Sequence, residues 1–81
     1  MKLTEAQKNV LKMMYDEPTK YLSVGRMQIN AGSRFGLKRL HSGTVNVLIK
    51  KELLVLDPKQ SDVISDSYRL SNEGFIIASQ L

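Results

Sequence analysis

The stretch that decides the fold is Ser42–Leu56, SGTVNVLIKKELLVL. Val45, Leu48 and Ile49 stand at i, i+3 and i+4, with Leu53 a turn further, so one side of a helix starting near Ser42 is apolar. Ser42 is the N-cap candidate. Thr44, Asn46, Val47, Lys50 and Lys51 fall on the opposite side. After Glu52 the run LLVL is short, apolar and partly β-branched, which reads as a strand. The apolar half of this segment is explained by a core. The polar half asks for a solvent or partner role.

Working outward, the N-terminal side opens with LTEAQKNVLKMMYDEP. Thr4 and Gln7 have the spacing of a capping box. Ala6, Val10, Leu11, Met14 and Tyr15 form an apolar stripe, and Lys8, Asn9, Lys12 and Asp16 lie outside it. Pro18 disfavours helical geometry at Glu17, so this helix should end near Asp16. Between the two helices, Tyr21, Leu22 and Val24 suggest a short strand broken at Gly25. Met27 and Ile29 continue on the opposite parity, which fits either a hairpin turning at Gly25 and Arg26 or a strand followed by a helical turn. Asn30–Ser33 reads as another turn. Phe35, Leu37 and Leu40 are expected to pack inward, from a short helix starting at Ser33 or from a loop.

On the C-terminal side, DPKQSDVISDS is a polar loop of about eleven residues opened by the turn-forming pair Asp57-Pro58. In YRL, Tyr68 and Leu70 share one strand face and Arg69 takes the other. SNEGFIIASQL reads as a cap at Ser71 followed by a short helix, with Phe75, Ile76 and Ala78 as apolar surface. The order is helix, short strand, open segment, helix, strand, loop, strand, helix. It defines an α+β chain in which a two-stranded ribbon packs on a three-helix core.

The chain has 81 residues, so one domain spanning 1–81 is expected. It has no cysteine, which excludes disulfides, thiolate metal sites and thiol catalysis and fits a reducing cytoplasm. His41 is the one histidine, and it reads as a loop or capping residue. No cofactor or metal is implied. No segment reaches the roughly 20 apolar residues of a membrane span, and Lys8, Asn9 and Lys12 interrupt any signal-peptide core. The expected location is cytoplasmic.

Net charge is +4, and its distribution is uneven. Met1–Glu17 is neutral. Pro18–Lys51 holds Lys20, Arg26, Arg34, Lys38, Arg39, Lys50 and Lys51 with no acid. Glu52–Leu81 is acidic, with Glu52, Asp57, Asp62, Asp66 and Glu73 against Lys59 and Arg69. A basic middle third of this kind suits a polyanionic partner.

Three motifs carry a resemblance. TVNVLIKKELLVL (Thr44–Leu56) resembles the recognition helix and first wing strand of bacterial winged-helix regulators. YRLSNEG (Tyr68–Gly74) is similar to their second wing strand and the turn into the last helix, and LTEAQKNVLKMM resembles their first helix. The nearest comparison is with MarR-like and PadR-like regulators, or small phage and plasmid proteins of that build. Four departures stand out. Glu52 occupies the place of a glycine that leaves the helix in a left-handed turn. The segment before Ser42 is not a clean second helix, and a hairpin is the alternative there. The wing loop is acidic, and long terminal dimerisation helices are absent.

The resemblance implies a winged helix, a helix-turn-helix relative, that binds double-stranded DNA sequence-specifically as a small transcriptional regulator. Residues 42–51 would enter the major groove, which is about 12 Å wide. Ser42, Thr44, Asn46 and Val47 would approach bases, with Asn46 suited to adenine and Val47 or Thr44 to a thymine methyl. Arg34, Lys38, Arg39, Lys50 and Lys51 would neutralise phosphates. DNA half-sites are usually bound in pairs, so a homodimer through the C-terminal helix is expected. The alternative is a winged-helix interaction module that docks an acidic protein or a second copy and reads no DNA. An enzyme is not expected: NAGSRFGLKR lacks the Gly-Lys-Ser/Thr of a phosphate loop, and no catalytic pairing of carboxylates or of Ser, His and Asp is spaced for chemistry.

Overall fold

A computed structural model describes residues 2–26 and 32–81. Met27, Ile29 and the turn expected at Asn30 lie outside these residues. The chain is a small α+β fold of three helices and a five-stranded antiparallel sheet. In order, these are α1 (Glu5–Asp16), β1 (Leu22–Gly25), β2 (Ser33–Phe35), β3 (Lys38–Leu40), α2 (Ser42–Lys50), β4 (Leu54–Leu56), β5 (Ser65–Leu70) and α3 (Asn72–Ser79). Within the sheet the order is β3-β2-β1-β5-β4, so β3 and β4 are its edges.

Helix α1 starts as its sequence dictates. The Thr4 hydroxyl accepts from the Gln7 amide at 3.2 Å, and Gln7 Oε1 accepts from the Thr4 amide at 2.9 Å. This reciprocal cap satisfies two of the helix's first free N–H groups. Gln7 is thereby buried, and Ala6, expected inward, is exposed. Val10, Leu11 and Met14 enter the core with Leu22, Phe35, Val45, Leu48, Leu53, Leu54, Leu70 and Ala78. Tyr15 stays at the rim, edge-to-face with Phe75 of α3 at 5.9 Å between centroids.

The open segment resolves into a hairpin. Gly36 and Leu37 join β2 to β3, with Arg34 opposite Arg39 and Phe35 opposite Lys38. Gly36 has φ 62°, and a glycine of positive φ at the first of two loop residues is the pattern of a type II′ turn. Neither a short helix from Ser33 nor a loop is formed there. Leu37, expected inward, is fully exposed at the hairpin tip because both turn residues lie outside the ladder. Phe35 is buried and Leu40 packs against the core, as expected.

Helix α2 begins one residue earlier than its sequence suggests. His41 is the N-cap: its Nδ1 accepts from the Gly43 amide at 3.1 Å, and Ser42 is the first helical residue. The helix ends in a Schellman turn. The Leu53 amide donates to the Leu48 carbonyl at 3.1 Å and the Glu52 amide to the Ile49 carbonyl at 3.0 Å. Glu52 takes the left-handed position, φ 61°, where glycine is favoured. The glycine's absence therefore leaves the exit turn intact and loads it with strain. Leu48 and Leu53, the apolar pair that accompanies such a turn, are both fully buried.

Strand β5 is longer than YRL. Ser65, Asp66 and Ser67, expected in the loop, pair with Gly25, Val24 and Ser23 of β1. Ser71 caps α3 through its hydroxyl, which accepts from the Gly74 amide at 3.0 Å and donates to the Glu52 carbonyl at 2.8 Å. The exit of α2 and the entry of α3 are thus one joint.

Candidate nucleic-acid interface

Register fixes where the polar face of α2 points. Leu40, Ser33, Val24 and Asp66 lie in one row across the sheet. His41 follows Leu40 directly, so α2 starts at the sheet end that also carries the 57–64 loop. At its other end α2 hands over to β4 at Leu54, which pairs with Leu70. Nine helical residues at about 1.5 Å each separate the two ends by roughly 13 Å. Ser42, Thr44 and Asn46 therefore lie toward the β3 edge of the sheet, and Lys50 and Lys51 toward the β4 edge.

Val45 and Leu48 bury one side of α2. Gly43, Asn46 and Lys50, at i, i+3 and i+7, form an exposed strip on the other. Ser42 is exposed at the start, and Thr44, Val47 and Lys51 are half-buried along the flanks. A Cβ at Gly43 would stand 3.0 Å from Cε1 of His41, so this glycine leaves room for the capping ring.

The remaining cations divide. Ser33 and Phe35 are buried, so by alternation Arg34 points to the outer face of the sheet. Arg39 is its direct cross-strand partner on that face. Like charges placed this way are unfavourable unless something neutralises them. Lys38 has the other parity and, with Arg39, His41 and Thr44, borders a cleft beside α1. Of the sequence-expected cations, Lys50 and Lys51 lie on α2 and Lys38 beside its start, while Arg34 and Arg39 stand apart on the outer face. Among the described residues the ion pairs are Lys20–Glu17, at 2.6 Å, and Arg26–Asp66. Arg34, Lys38, Arg39, Lys50 and Lys51 belong to neither.

The acids of the 57–64 loop and of the start of β5 have local work. Asp66 accepts from Arg26 Nε at 2.7 Å. Asp62 Oδ1 accepts from the amides of Ile64 and Ser65, both at 2.9 Å, and from the Ser65 hydroxyl at 3.3 Å. Those two backbone N–H groups hold the Asp62 carboxyl below the ordinary aspartate range. Asp57 accepts from the Lys59 amide at 3.1 Å, and its carbonyl accepts from the Ser61 hydroxyl at 2.9 Å. The loop so built raises Val63, 85% exposed, at its apex. Arg26 was not singled out as a structural partner in the sequence, since its acid is forty residues away and no short-range pattern marks it.

Among the described residues no group of His, Cys, Asp and Glu is disposed to hold a metal, and no helix is long and apolar enough to cross a membrane. No family model, curated protein or solved structure matches this chain.

Proposed function

We propose that this chain is a winged-helix protein that binds double-stranded DNA sequence-specifically, as a small transcriptional regulator, with α2 in the major groove. The reading rests chiefly on the exposed Gly43–Asn46–Lys50 strip of α2, headed by Ser42. On this reading β4 and β5 are the wing strands, the 57–64 loop is the wing, and the β2–β3 hairpin takes the place of the family's second helix. Lys38, Lys50 and Lys51 supply the phosphate contacts, free of competing ion pairs among the described residues. Arg34 and Arg39 reach phosphate only where DNA or a second duplex wraps toward the outer sheet face. Of the acidic residues near the wing, Asp66 is neutralised by Arg26, while Asp57 and Asp62 are tied into the loop's own turns and keep their charge. A gel-shift titration against pooled duplex DNA tests the reading. Binding at low salt that weakens steeply as salt rises supports it, and no binding at low salt refutes it.

A second reading is favoured by α3. Its only charged residue is Glu73, and Phe75 and Ile76 are exposed beside Tyr15. A helix apolar on most of its circumference is ordinarily covered. The interaction-module reading assigns this face to a homodimer, or the basic face to an acidic protein. Sedimentation of the wild type and of Ile76→Asp separates the two. A dimer that the substitution dissociates supports the face; a wild-type monomer at tens of micromolar removes it.

A further inference from the structure

Arg34 and Arg39 stand side by side on the outer face of the sheet, because Ser33 and Phe35 are buried and Arg34 lies directly opposite Arg39. The three helices share the core on the other face with Leu22, Phe35, Leu54 and Leu70. Two guanidinium groups at opposed positions repel each other unless an anion joins them. Neither belongs to an ion pair among the described residues, and Pro18–Lys51 contains no acid at all. On the neighbouring strand and loop, Asp66 is held by Arg26, and Asp62 by the amides of Ile64 and Ser65.

The pair borders an open trough of about 760 Å³, within the roughly 300–1,000 Å³ of small-molecule sites. Its floor runs from Arg34 to Ser23, the next residue in that row, and on to Gly25, which pairs with Ser65 and donates to the Gly32 carbonyl at 2.8 Å. The two glycines leave the sheet backbone open to close approach, and the two serines place hydroxyls beside it. Ile64 closes the far side, and none of the described residues lining the trough is a carboxylate. From β3 to β5 the trough crosses three strand spacings, about 14 Å. Two opposed guanidinium groups match a dianion better than a single carboxylate. An inorganic ion fills only the arginine end, and a wholly apolar body leaves the hydroxyls without partners. We propose that this trough binds a nucleoside monophosphate. Its phosphate lies between Arg34 and Arg39, each with a fork of donors. The sugar hydroxyls meet Ser23 and Ser65, whose own hydroxyl donates to Asp62 and is left to accept. The flat base rests on the Gly25–Gly32 backbone with Ile64 at its edge. The inference does not rest on the DNA reading, because the trough lies across the sheet from α2.

NMR titration of the full chain provides the test, with adenosine 5′-monophosphate, inorganic phosphate and adenosine as ligands. The monophosphate should shift the amides of Ser23, Gly25 and Ser65 and the methyls of Ile64 saturably, with a Kd about tenfold below that of either other ligand. Arg34→Gln together with Arg39→Gln, both at exposed positions, should weaken the monophosphate about tenfold, toward the level of adenosine. Ser23→Leu adds bulk to the floor and keeps both charges. It should abolish the preference for the monophosphate over inorganic phosphate while leaving the far-UV circular dichroism unchanged. The assignment is overturned by no saturable shift at those groups, by inorganic phosphate binding as tightly as the monophosphate, or by indifference to the arginine variant. Duplex DNA saturating the same amides where the monophosphate does not would also overturn it, and would give this face to a nucleic-acid backbone.

Discussion

Gly74 lies so close to Leu53 that a Cβ at position 74 would stand 2.2 Å from the Leu53 carbonyl oxygen. This is a backbone contact, so no side chain can swing away to relieve it. It presses the first turn of α3 onto the end of α2. Helix propensity alone would make Gly74→Ala stabilising by about 1 kcal/mol. The contact reverses the sign. Gly74→Ala should lower stability by about 1–3 kcal/mol, the usual range for overpacking, and chemical denaturation would measure it. An unchanged or raised midpoint would mean that α3 stands further from Leu53 than described.

Glu52 gives the opposite case. It holds the left-handed position of the Schellman turn at φ 61° with a side chain that disfavours it. Glu52→Gly should stabilise the fold by about 1 kcal/mol, because glycine adopts this conformation freely. The Ser71 hydroxyl bonds to the Glu52 carbonyl and is kept in the variant. Thermal melts of the two proteins at equal concentration would show the rise.

Asp62 sets a pH dependence. Its folded-state pKa is lowered, first by the backbone N–H of Ile64 and then by that of Ser65. A depressed carboxylate contributes stability above its unfolded value, about pH 3.9, and loses it as pH falls through the lower folded value. The stability gap between wild type and Asp62→Asn should therefore be full at neutral pH and close on acidification. Its carboxyl carbon in an NMR titration should move at a lower pH than an ordinary aspartate. A normal midpoint would remove the two amide bonds from the account of this loop.

The α2 surface yields a paired prediction on DNA. Lys50→Gln with Lys51→Gln should weaken binding to all duplexes and flatten the salt dependence, since phosphate contacts carry no sequence information. Asn46→Ala should instead cost about 1–3 kcal/mol on the preferred site and relax choice at one base pair. Fluorescence anisotropy with a selected site and a scrambled one reads both. If Asn46→Ala weakens every duplex equally, position 46 is not reading a base.

Much of this fold was legible in the sequence where the signal was local. Thr4 and Gln7 announced α1, Val45, Leu48 and Ile49 announced α2, and Ser71 announced α3, because caps and apolar stripes act within a turn or two. The β2–β3 hairpin was not legible. Its strands have three residues each, and Phe35, Leu37 and Leu40 suit a helix period as well as a hairpin. His41 was passed over as the particular cap of α2 because serine is the commoner residue in that role, although an imidazole nitrogen accepts the same amide. Ser65–Ser67 read as loop because their polarity hides a strand whose pairing comes from β1. For the candidate site, Asn46 and Lys50 lie on the exposed side as expected, whereas Thr44, Val47 and Lys51 are half-buried on its flanks. The outer-face position of Arg34 followed only from sheet register, which no periodicity within β2 reveals.

The two edges of the sheet are not equivalent. The β3 edge presents Lys38 and Arg39, and charged residues on an edge repel an incoming strand. The β4 edge is Leu54, Val55 and Leu56, without a charge. A strand arriving from another molecule meets resistance on one side of this sheet and little on the other. Polymerisation through the sheet requires two permissive edges per molecule, and this chain has one. Self-association by strand addition therefore closes at two copies instead of running on into a fibre.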